Sequence, residues 1–438
     1  MSIFVCCVAA SVAAGANPPE VLEQLEVDKV WAGHVVGFCL LTHPPHQWVA
    51  YYDSERQMTV AHRTLGEKRW DRVKLPEWVG WDSHNYVTMA VDDDGFIHLS
   101  GNMHVKPLVY FKSGKPFDIQ SLARAPMLGT REDQCTYPEF IRGPRGLLIF
   151  TYRDGRSGSG DQIYNAYDLT SKTWHRLLDA PLTTGNGKMN AYFEGPVLGP
   201  DGRYHLCWVW RDNPGCESNH DLCYARSADL MHWETAAGRP LSLPISIENA
   251  DVVDPIPAKG GIINGNTKLG FDSRNRPIIS YHKFDDAGNT QIFNARFEDG
   301  LWRTRRTSDW AYRWDFSGNG AIAVEIGLSG VSTHAAGVLK LSYNHVKYGS
   351  GTWLLDEATL KQIGVAKESP AYPKQMTVAE SDFPGIEISR ANDLGGINEP
   401  DARFVLQWET LGPNRDQRRD GPLPDAGSLR ALKLKRVQ

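Results

Sequence analysis

Four side chains in this sequence are of types that move protons beside an acidic group: His84 in WDSHNYV, His104 in GNMHVKP, Tyr137 in CTYPEF and Arg153 in FTYRDGRSG. Imidazole and phenol exchange protons with a substrate, and a guanidinium fork holds a planar carboxylate through two parallel hydrogen bonds. Taken singly, each has a plainer reading. A histidine beside a strand is usually a satisfied structural residue, Tyr137 before Pro138 suits packing, and Arg153 beside Asp154 suits an ion pair. Taken together, the four meet the needs of removing the C5 proton of a uronate. That step requires a base, donors that neutralise the carboxylate, and a proton source for the departing O4. In D-glucuronate the C5 hydrogen and O4 lie on one side of the ring, so a tyrosine or a histidine on that side can make both transfers. The residue types leave that choice open.

Such residues, scattered through separate motifs, meet only in a fold that gathers loops from successive units onto one face. The chain does repeat itself. A short strand, a polar turn and a tryptophan opening another strand recur in VAHRTLGEKRWDRV, IYNAYDLTSKTWHRL, LCYARSADLMHWETA, IFNARFEDGLWRTRR and LSYNHVKYGSGTWLLD, with Phe117 of LVYFKSGKPFDIQ as a variant. The copies lie roughly fifty to seventy residues apart, the scale of a propeller blade. A second repeat, a turn followed by a β-rich run, appears in DDDGFIHLSG, GPRGLLIFTY, GPDGRYHLCWVW and DSRNRPIISYH. Its Asp-Gly-like turns supply positive φ, and its alternating apolar residues give a buried face. One such sheet cannot bury both faces, so sheets must stack in a ring, and six or seven fit the length.

The expectation is therefore an all-β, seven-bladed β-propeller in a single domain over residues 17–438. Trp70, Trp174, Trp233, Trp302 and Trp353 are expected at equivalent places. The C-terminal runs RFVLQWE and LRALKLKRV are expected to complete a blade begun near VWAGHVVGFCLL, and Lys361–Asn398, rich in Pro, Glu and Asp, to form an elaborated loop.

Composition narrows the function. The 438 residues carry a formal net charge of -5, with no lysine or arginine block interleaved with aromatics, which argues against nucleic acid. The opening run MSIFVCCVAASVAAGAN ends in small residues and is too short to span a bilayer. Residues 1–16 read as a signal peptide, without its usual basic start, or else as an N-terminal strand; the first reading makes the protein secreted or periplasmic. Five of the seven cysteines follow that leader, an odd number that argues against a full disulfide framework. Cys207 and Cys223 suit neighbouring strands, as a disulfide or as buried thiols. No membrane association is expected, and the chain is read as a monomer acting without an organic cofactor.

The segments WDSHN, GNMH, FTYRDGRSG and NHDLCYARSADLMHW resemble the seven-bladed propeller polysaccharide lyases of the BNR-repeat type, which include ulvan lyases and L-rhamnose-α-1,4-D-glucuronate lyases. The likeness runs through most of the chain and is densest from Trp81 to Trp233. It implies β-elimination at the L-rhamnose-α-1,4-D-glucuronate linkage of an acidic polysaccharide of the ulvan or gum arabic type. By the same likeness His84 and His104 bind or deprotonate the uronate, Tyr137 is the acid or acid/base, and Arg153 holds the carboxylate. Arg211 in CWVWRDN is implied as a substrate contact, Asn85 as a supporting one, and Tyr281 in ISYHKFDD as a rim residue. His205, Cys216, His220 and His282 are of the zinc-ligand type, and related propellers suggest a structural metal here: zinc if Cys216 ligates, or calcium elsewhere on oxygen ligands.

Two rivals share the architecture. A glycoside hydrolase of the rhamnosidase or sialidase kind needs paired carboxylates or its own arginine triad, and the candidate residues are His, Tyr and Arg instead. A sugar-binding propeller without catalysis would use Trp81, Trp208 and Trp210 as stacking platforms, although propeller tryptophans more often fill the spaces between blades.

Overall fold

The repeat read from the sequence is a hairpin repeat. At the four turns preceding the β-rich runs, Gly95, Gly146, Gly202 and Asn275 have φ of 86°, 79°, 77° and 62°. Each donates its backbone N–H to the carbonyl three residues earlier, on Asp92, Gly143, Gly199 and Asp272. Glycine and asparagine are the residues that adopt this left-handed conformation at least cost. Each turn feeds a strand hydrogen-bonded on both sides, namely Ile97–Gly101, Leu148–Arg156, Tyr204–Arg211 and Pro277–Phe284. The side chains of Tyr204–Arg211 are buried along its whole length, so both faces of its sheet are covered.

The computed structural model describes residues 19–368, 370–395 and 399–436, and the leader expected over residues 1–16 lies outside them. Its strands form seven antiparallel sheets of four or five strands. Sheet I holds Cys39–His43, His46–Tyr52, Gln57–Thr64 and Asp71–Trp78; sheet II holds Val87–Val91, Ile97–Gly101, Tyr110–Ser113 and Leu122–Arg124. In sheet III, Cys135–Arg142, Leu148–Arg156, Ser159–Asp168 and Thr173–Arg176 are joined by the short strand His104–Lys106. Sheet IV runs from Asn190–Leu198 through Tyr204–Arg211 and Asn219–Ser227 to Trp233–Glu234, with Asp251–Asp254 added to it. Lys268–Phe271 opens sheet V, which ends at Leu301–Arg306, and sheet VI spans Ile326–Leu328 to Gln362–Val365.

Sheet VII joins the chain ends. Ile386–Asn392 pairs with Ala402–Leu411, which pairs with Gly427–Lys435, which pairs in turn with Val21–Val30. The N-terminal partner is therefore Val21–Val30 and not the expected VWAGHVVGFCLL. That stretch is divided, Val30 ending one strand and Cys39 opening sheet I. The strand was hidden by Glu23, Glu26 and Asp28, which interrupt its apolar pattern; half-buried and exposed positions alternate along its first six residues. First strands meet in succession: Cys39–His43 touches Val87–Val91, which touches Cys135–Arg142, and Ile386–Asn392 touches Cys39–His43.

Two further expectations change. Lys361–Asn398 is not one loop; it carries the last strand of sheet VI, Gln362–Val365, and the first of sheet VII, Ile386–Asn392. Both are largely exposed or half-buried, so no apolar alternation marks them. Trp174, Trp233 and Trp302 lie in the last strand of their sheets and Trp70 immediately precedes one, but Trp353 lies within Gly349–Asp356, one strand earlier. A turn closed by Gly349, with φ of 72°, follows its preceding strand directly and brings that tryptophan forward by one strand. Phe117 precedes the last strand of sheet II and stacks on His46 with ring centroids 4.6 Å apart.

Trp208 and Trp210 are wholly buried and pack, whereas Trp81 is half-buried edge-on to Trp31. Cys39, Cys135, Cys207, Cys216 and Cys223 are free and buried. Cys207 pairs across the ladder with Tyr224 and Cys223 with Trp208, a one-residue offset that sends the two thiols to opposite faces.

Leu434, fully buried in sheet VII, sits on the closing strand opposite Val21. Leu434→Ala is expected to cost about 2–5 kcal/mol, read from the midpoint of chemical denaturation. A loss below about 1 kcal/mol would show that the joined chain ends lie outside the cooperative core.

Candidate active site

The loop between sheets I and II carries the first site residues. Asp82 accepts hydrogen bonds from its own loop, including the backbone N–H of His84 at 2.9 Å, and its two carboxylate oxygens are shared between two imidazoles. Its Oδ1 lies 2.7 Å from His84 Nδ1 and its Oδ2 2.5 Å from His104 Nδ1. The two rings stand 4.3 Å apart. Burial alone would raise the Asp82 carboxyl, but the bonds from His104 and His84 hold it well below the usual carboxylate range. With both Nδ1 atoms committed to Asp82, the Nε2 edges remain for a ligand. Among the described residues, Asp82, His84 and His104 are the one group of three metal-type side chains whose ligand atoms lie within 4.8 Å of one another.

Sheet III supplies the phenol. The pairing of Cys135–Arg142 with Leu148–Arg156 slips between Thr136 and Glu139, and Tyr137, at that slip, has a φ of 60°. A bulge of this kind re-aims one side chain out of the ladder. Val105, beside His104, also has positive φ, 54°, a costly conformation for a β-branched residue, and its N–H is tied to Thr136 Oγ1. The backbone is thus strained at both places, beside His104 and at Tyr137 itself.

Tyr192, on the first strand of sheet IV, faces Tyr137 with ring centroids 5.9 Å apart. Its hydroxyl meets Ser157 Oγ at 2.8 Å and accepts from Arg153 Nη1 at 3.3 Å, and the Arg211 guanidinium lies 5.3 Å from its ring centroid. The two phenols are pushed in opposite directions. Burial, then the neighbouring Tyr192, raises Tyr137 above the ordinary phenol value in spite of Arg153 and Arg211. Burial opposes ionisation of Tyr192 as well, but the two guanidiniums outweigh it and hold Tyr192 below the usual value.

These groups open on a cavity of about 620 Å³. His84, His104, Tyr137, Tyr192 and Arg211 line one part; Arg156 and Ser157 of a tight hairpin, Asn264 and Asn266, and the run from Asn319 to Ile322 complete it. No aspartate or glutamate is among the lining residues.

A family model described as BNR repeat-containing family member matches residues 46–310. The chain belongs to the BNR repeat-containing family. The matched span runs from the second strand of sheet I to the end of sheet V and includes every residue from His84 to Arg211. An ulvan lyase of Alteromonas sp. (strain LOR) is 22% identical over 240 residues, 48% of this chain and 48% of that protein, so this BNR-repeat chain spans about half the length of the curated relative it matches. Among solved structures, the polysaccharide lyase Uly1 superposes with a TM-score of 0.61 at 12% identity, covering 95% of this chain and 100% of that one. A PL25 ulvan lyase superposes at 0.58 with 14% identity over 93% and 95% of the two chains. The second of these was also solved bound to a -[GlcA(1-4)Rha3S]- unit, at a TM-score of 0.58. At such identities the shared property is the fold.

Of the residues expected from the BNR-repeat resemblance, His84, His104, Tyr137 and Arg211 meet at the cavity. Arg153 does not reach it. It is 2% exposed behind the two phenols, donating to Tyr192 and to Thr136 Oγ1, with its guanidinium 5.0 Å from the Tyr137 ring centroid. Arg211 lines the cavity, but its fork is engaged by the carbonyls of Asn213 and Pro214 and by Asn264. Asn85 is buried behind the His84 loop and lines no part of the cavity; its carbonyl accepts from Tyr52. Tyr281 is fully buried in another cluster with its hydroxyl on Asp254, because its strand position faces the core.

The four residues expected to bind metal do not converge. His205 has its ring nitrogens on Tyr224 and Asp201, and His220 has its own on Asp221 and Asp212. Cys216 is buried in an apolar cluster that raises its thiol. His282 packs against Trp314 and Phe316 with neither nitrogen hydrogen-bonded, and burial lowers it to about 4. Each is thus satisfied or enclosed separately, and the set does not fit one ion.

Sequence reasoning missed Asp82, Tyr192 and Arg156. Asp82 was within reach, standing two residues before His84 in the motif already singled out; Tyr192, in NAYFEGP, carries no comparable signal. If one carboxylate orders both imidazoles, Asp82→Asn is expected to remove the downfield Nδ1 proton resonances of His84 and His104 together in proton NMR. Persistence of either would separate the two rings. Tyr281→Phe is expected to cost about 1–3 kcal/mol of stability while leaving the cavity intact.

Proposed function

We propose that this chain is a polysaccharide lyase that cleaves the L-rhamnose-α-1,4-D-glucuronate linkage of an acidic polysaccharide, of the ulvan or gum arabic type, by β-elimination. The observation that carries this reading is the cavity wall: two imidazoles, two phenols and two arginines, with no carboxylate among the lining residues. Such a wall attracts an anionic sugar and supplies proton transfer. It lacks the two carboxyl groups, one to protonate the leaving oxygen and one to act as base or nucleophile, on which most glycoside hydrolases depend. The names of the relatives, an ulvan lyase and polysaccharide lyases, support the same class.

In this mechanism His84 and His104, donating from Nε2, and Arg156 from the hairpin rim hold the uronate carboxylate and draw charge from C5. Tyr192, ionised beside Arg153 and Arg211, takes the C5 proton. The C5 electron pair forms the C4–C5 double bond, the C4–O4 bond breaks, and Tyr137 gives its proton to O4. A proton passing from Tyr192 to Tyr137 restores the starting state. Both phenols stand on one side of the cavity, as syn elimination from glucuronate requires. Arg153 is reassigned from carboxylate clamp to the cation that lowers Tyr192.

We also infer that the seven sheets close into a seven-bladed propeller, supported by the succession of first-strand contacts and by the sheet that joins the chain ends. The apolar leader supports export as a secreted or periplasmic protein, and the reading needs one copy of the chain and no metal step.

Ulvan and gum arabic, offered separately, are expected to yield products absorbing in the ultraviolet band of an unsaturated uronate; new reducing ends without that band would instead mark a hydrolase. Tyr137→Phe and Tyr192→Phe are each expected to lower kcat by about 10²–10⁴ with the fold retained. The base must be deprotonated, so the rate should rise with pH along a limb lying below the ordinary phenol value. Removing a nearby cation raises that phenol, so Arg153→Gln is expected to move the limb to higher pH. An unmoved limb would dissociate Tyr192 from the base.

A further inference from the structure

The loop at 412–426, between the last two strands of sheet VII, carries one carboxylate that joins two segments beside the cavity. Asp416 Oδ1 accepts from Ser83 N at 3.0 Å and from Ser83 Oγ at 2.7 Å, and its Oδ2 accepts from Ala321 N at 2.7 Å. The same Oδ2 stands 3.5 Å from His84 Nδ1. Ser83 immediately precedes His84, and both His84 and Ala321 line the cavity. Arg415 fastens the Ala321 segment further: its N–H donates to Ala321 O at 3.1 Å, and its guanidinium donates to the carbonyls of Ser317 and Asn319 at 2.7 and 3.2 Å.

The loop is built for this position. Arg415 and Asp416 have consecutive φ values of 55° and 56°, a conformation neither residue type adopts without compensation. Gly320 permits the approach, since a Cβ there would stand 2.4 Å from Arg415 O. The Asp416 side chain is only 10% exposed, and His34, wholly buried, directs Nε2 at it from 3.8 Å. Burial would raise this carboxyl, yet the nearby His34 ring and the bonds from Ser83 hold it well below the usual range, so it stays an anion.

We propose that Asp416 is a positioning residue for His84: as a second carboxylate behind that ring, carried from the chain's closing sheet, it ties the His84 loop to the neighbouring Ala321 segment so that His84 meets the substrate carboxylate. This rests on the reading of His84 given above. Asp82 belongs to the same loop as His84 and ties it to His104 of sheet III; Asp416 ties that loop to the chain's closing sheet as well.

The test is a double-mutant cycle in the full chain, with ulvan as substrate and the unsaturated product as readout. Asp416→Asn keeps the shape and loses the charge and one of the paired acceptors. It is expected to lower kcat about tenfold or more with KM changed by less than about threefold, and to shift the His84 Nδ1 proton resonance while leaving that of His104. In the His84→Ala background the same substitution should add nothing further. Additive losses, or an unmoved His84 resonance, would overturn the proposal. Should His84→Ala itself retain full turnover, the catalytic reading of His84 fails instead, which separates the two. If Asp416→Asn does not fold, Ser83→Ala, which deletes the 2.7 Å bond, is expected to show the same coupling at smaller size.

Discussion

The site depends on a buried cation without a buried acid. Arg153 is 2% exposed, makes no ion pair among the described residues, and leaves Nε without a partner; its hydrogen bonds go to the hydroxyls of Tyr192 and Thr136. An enclosed guanidinium costs several kcal/mol unless compensating charge or donor–acceptor pairing is close. Here the group best placed to compensate is the Tyr192 phenol, and the same electrostatics that settle the arginine pull the phenol toward its anion. Arg211 adds to the pull from the cavity side. The lowering of the Tyr192 phenol is thus a consequence of how sheet III packs on sheet IV, before any ligand arrives.

The rest of the geometry follows from where that pair must stand. Tyr192 and Tyr137 come from the first strands of adjacent sheets, and the bulge at Thr136–Glu139 turns Tyr137 toward its neighbour. Thr136 links the two halves of the site, accepting from both Arg153 and Val105, the residue after His104. The strained backbone at Val105 and Tyr137 is held by sheet pairing on either side. Displacing any one of these strands disturbs the phenols and an imidazole together.

Much of this was legible in the sequence because the hairpin repeats write their turns in Asp, Gly and Asn at fixed offsets, and because His84, His104 and Tyr137 stand in short distinctive motifs. What was not legible depends on which face of a strand a residue occupies. Arg153 and Tyr281 both sit in strands rich in aromatics, where period-2 alternation gives no direction when both faces are buried. The zinc-type set failed for a related reason: His205, Cys216, His220 and His282 are close in chain position or in neighbouring sheets, but each satisfies a local need. Asp416 lies more than three hundred residues from Ser83 along the chain, at a separation of 333, and only closure of the chain ends brings it near. Long-range electrostatic partners of this kind leave no local pattern.

Charge is sorted by depth, and the sorting bears on chemistry more than any single residue does. The wall that a ligand meets carries imidazole, phenol and guanidinium, while Asp82 and Asp416 stand behind the imidazoles, out of the cavity lining. An acid in front would repel a uronate and offer a nucleophile or general acid suited to hydrolysis. An acid behind the ring holds the imidazole in place and leaves its outer edge to the ligand. Reversing the order of carboxylate and imidazole would convert a surface that receives an anion into one that rejects it, with the fold unchanged. For this reason the architecture shared with hydrolases and sugar-binding propellers does not decide between them, whereas the depth of two carboxylates supports the proposed lyase reading.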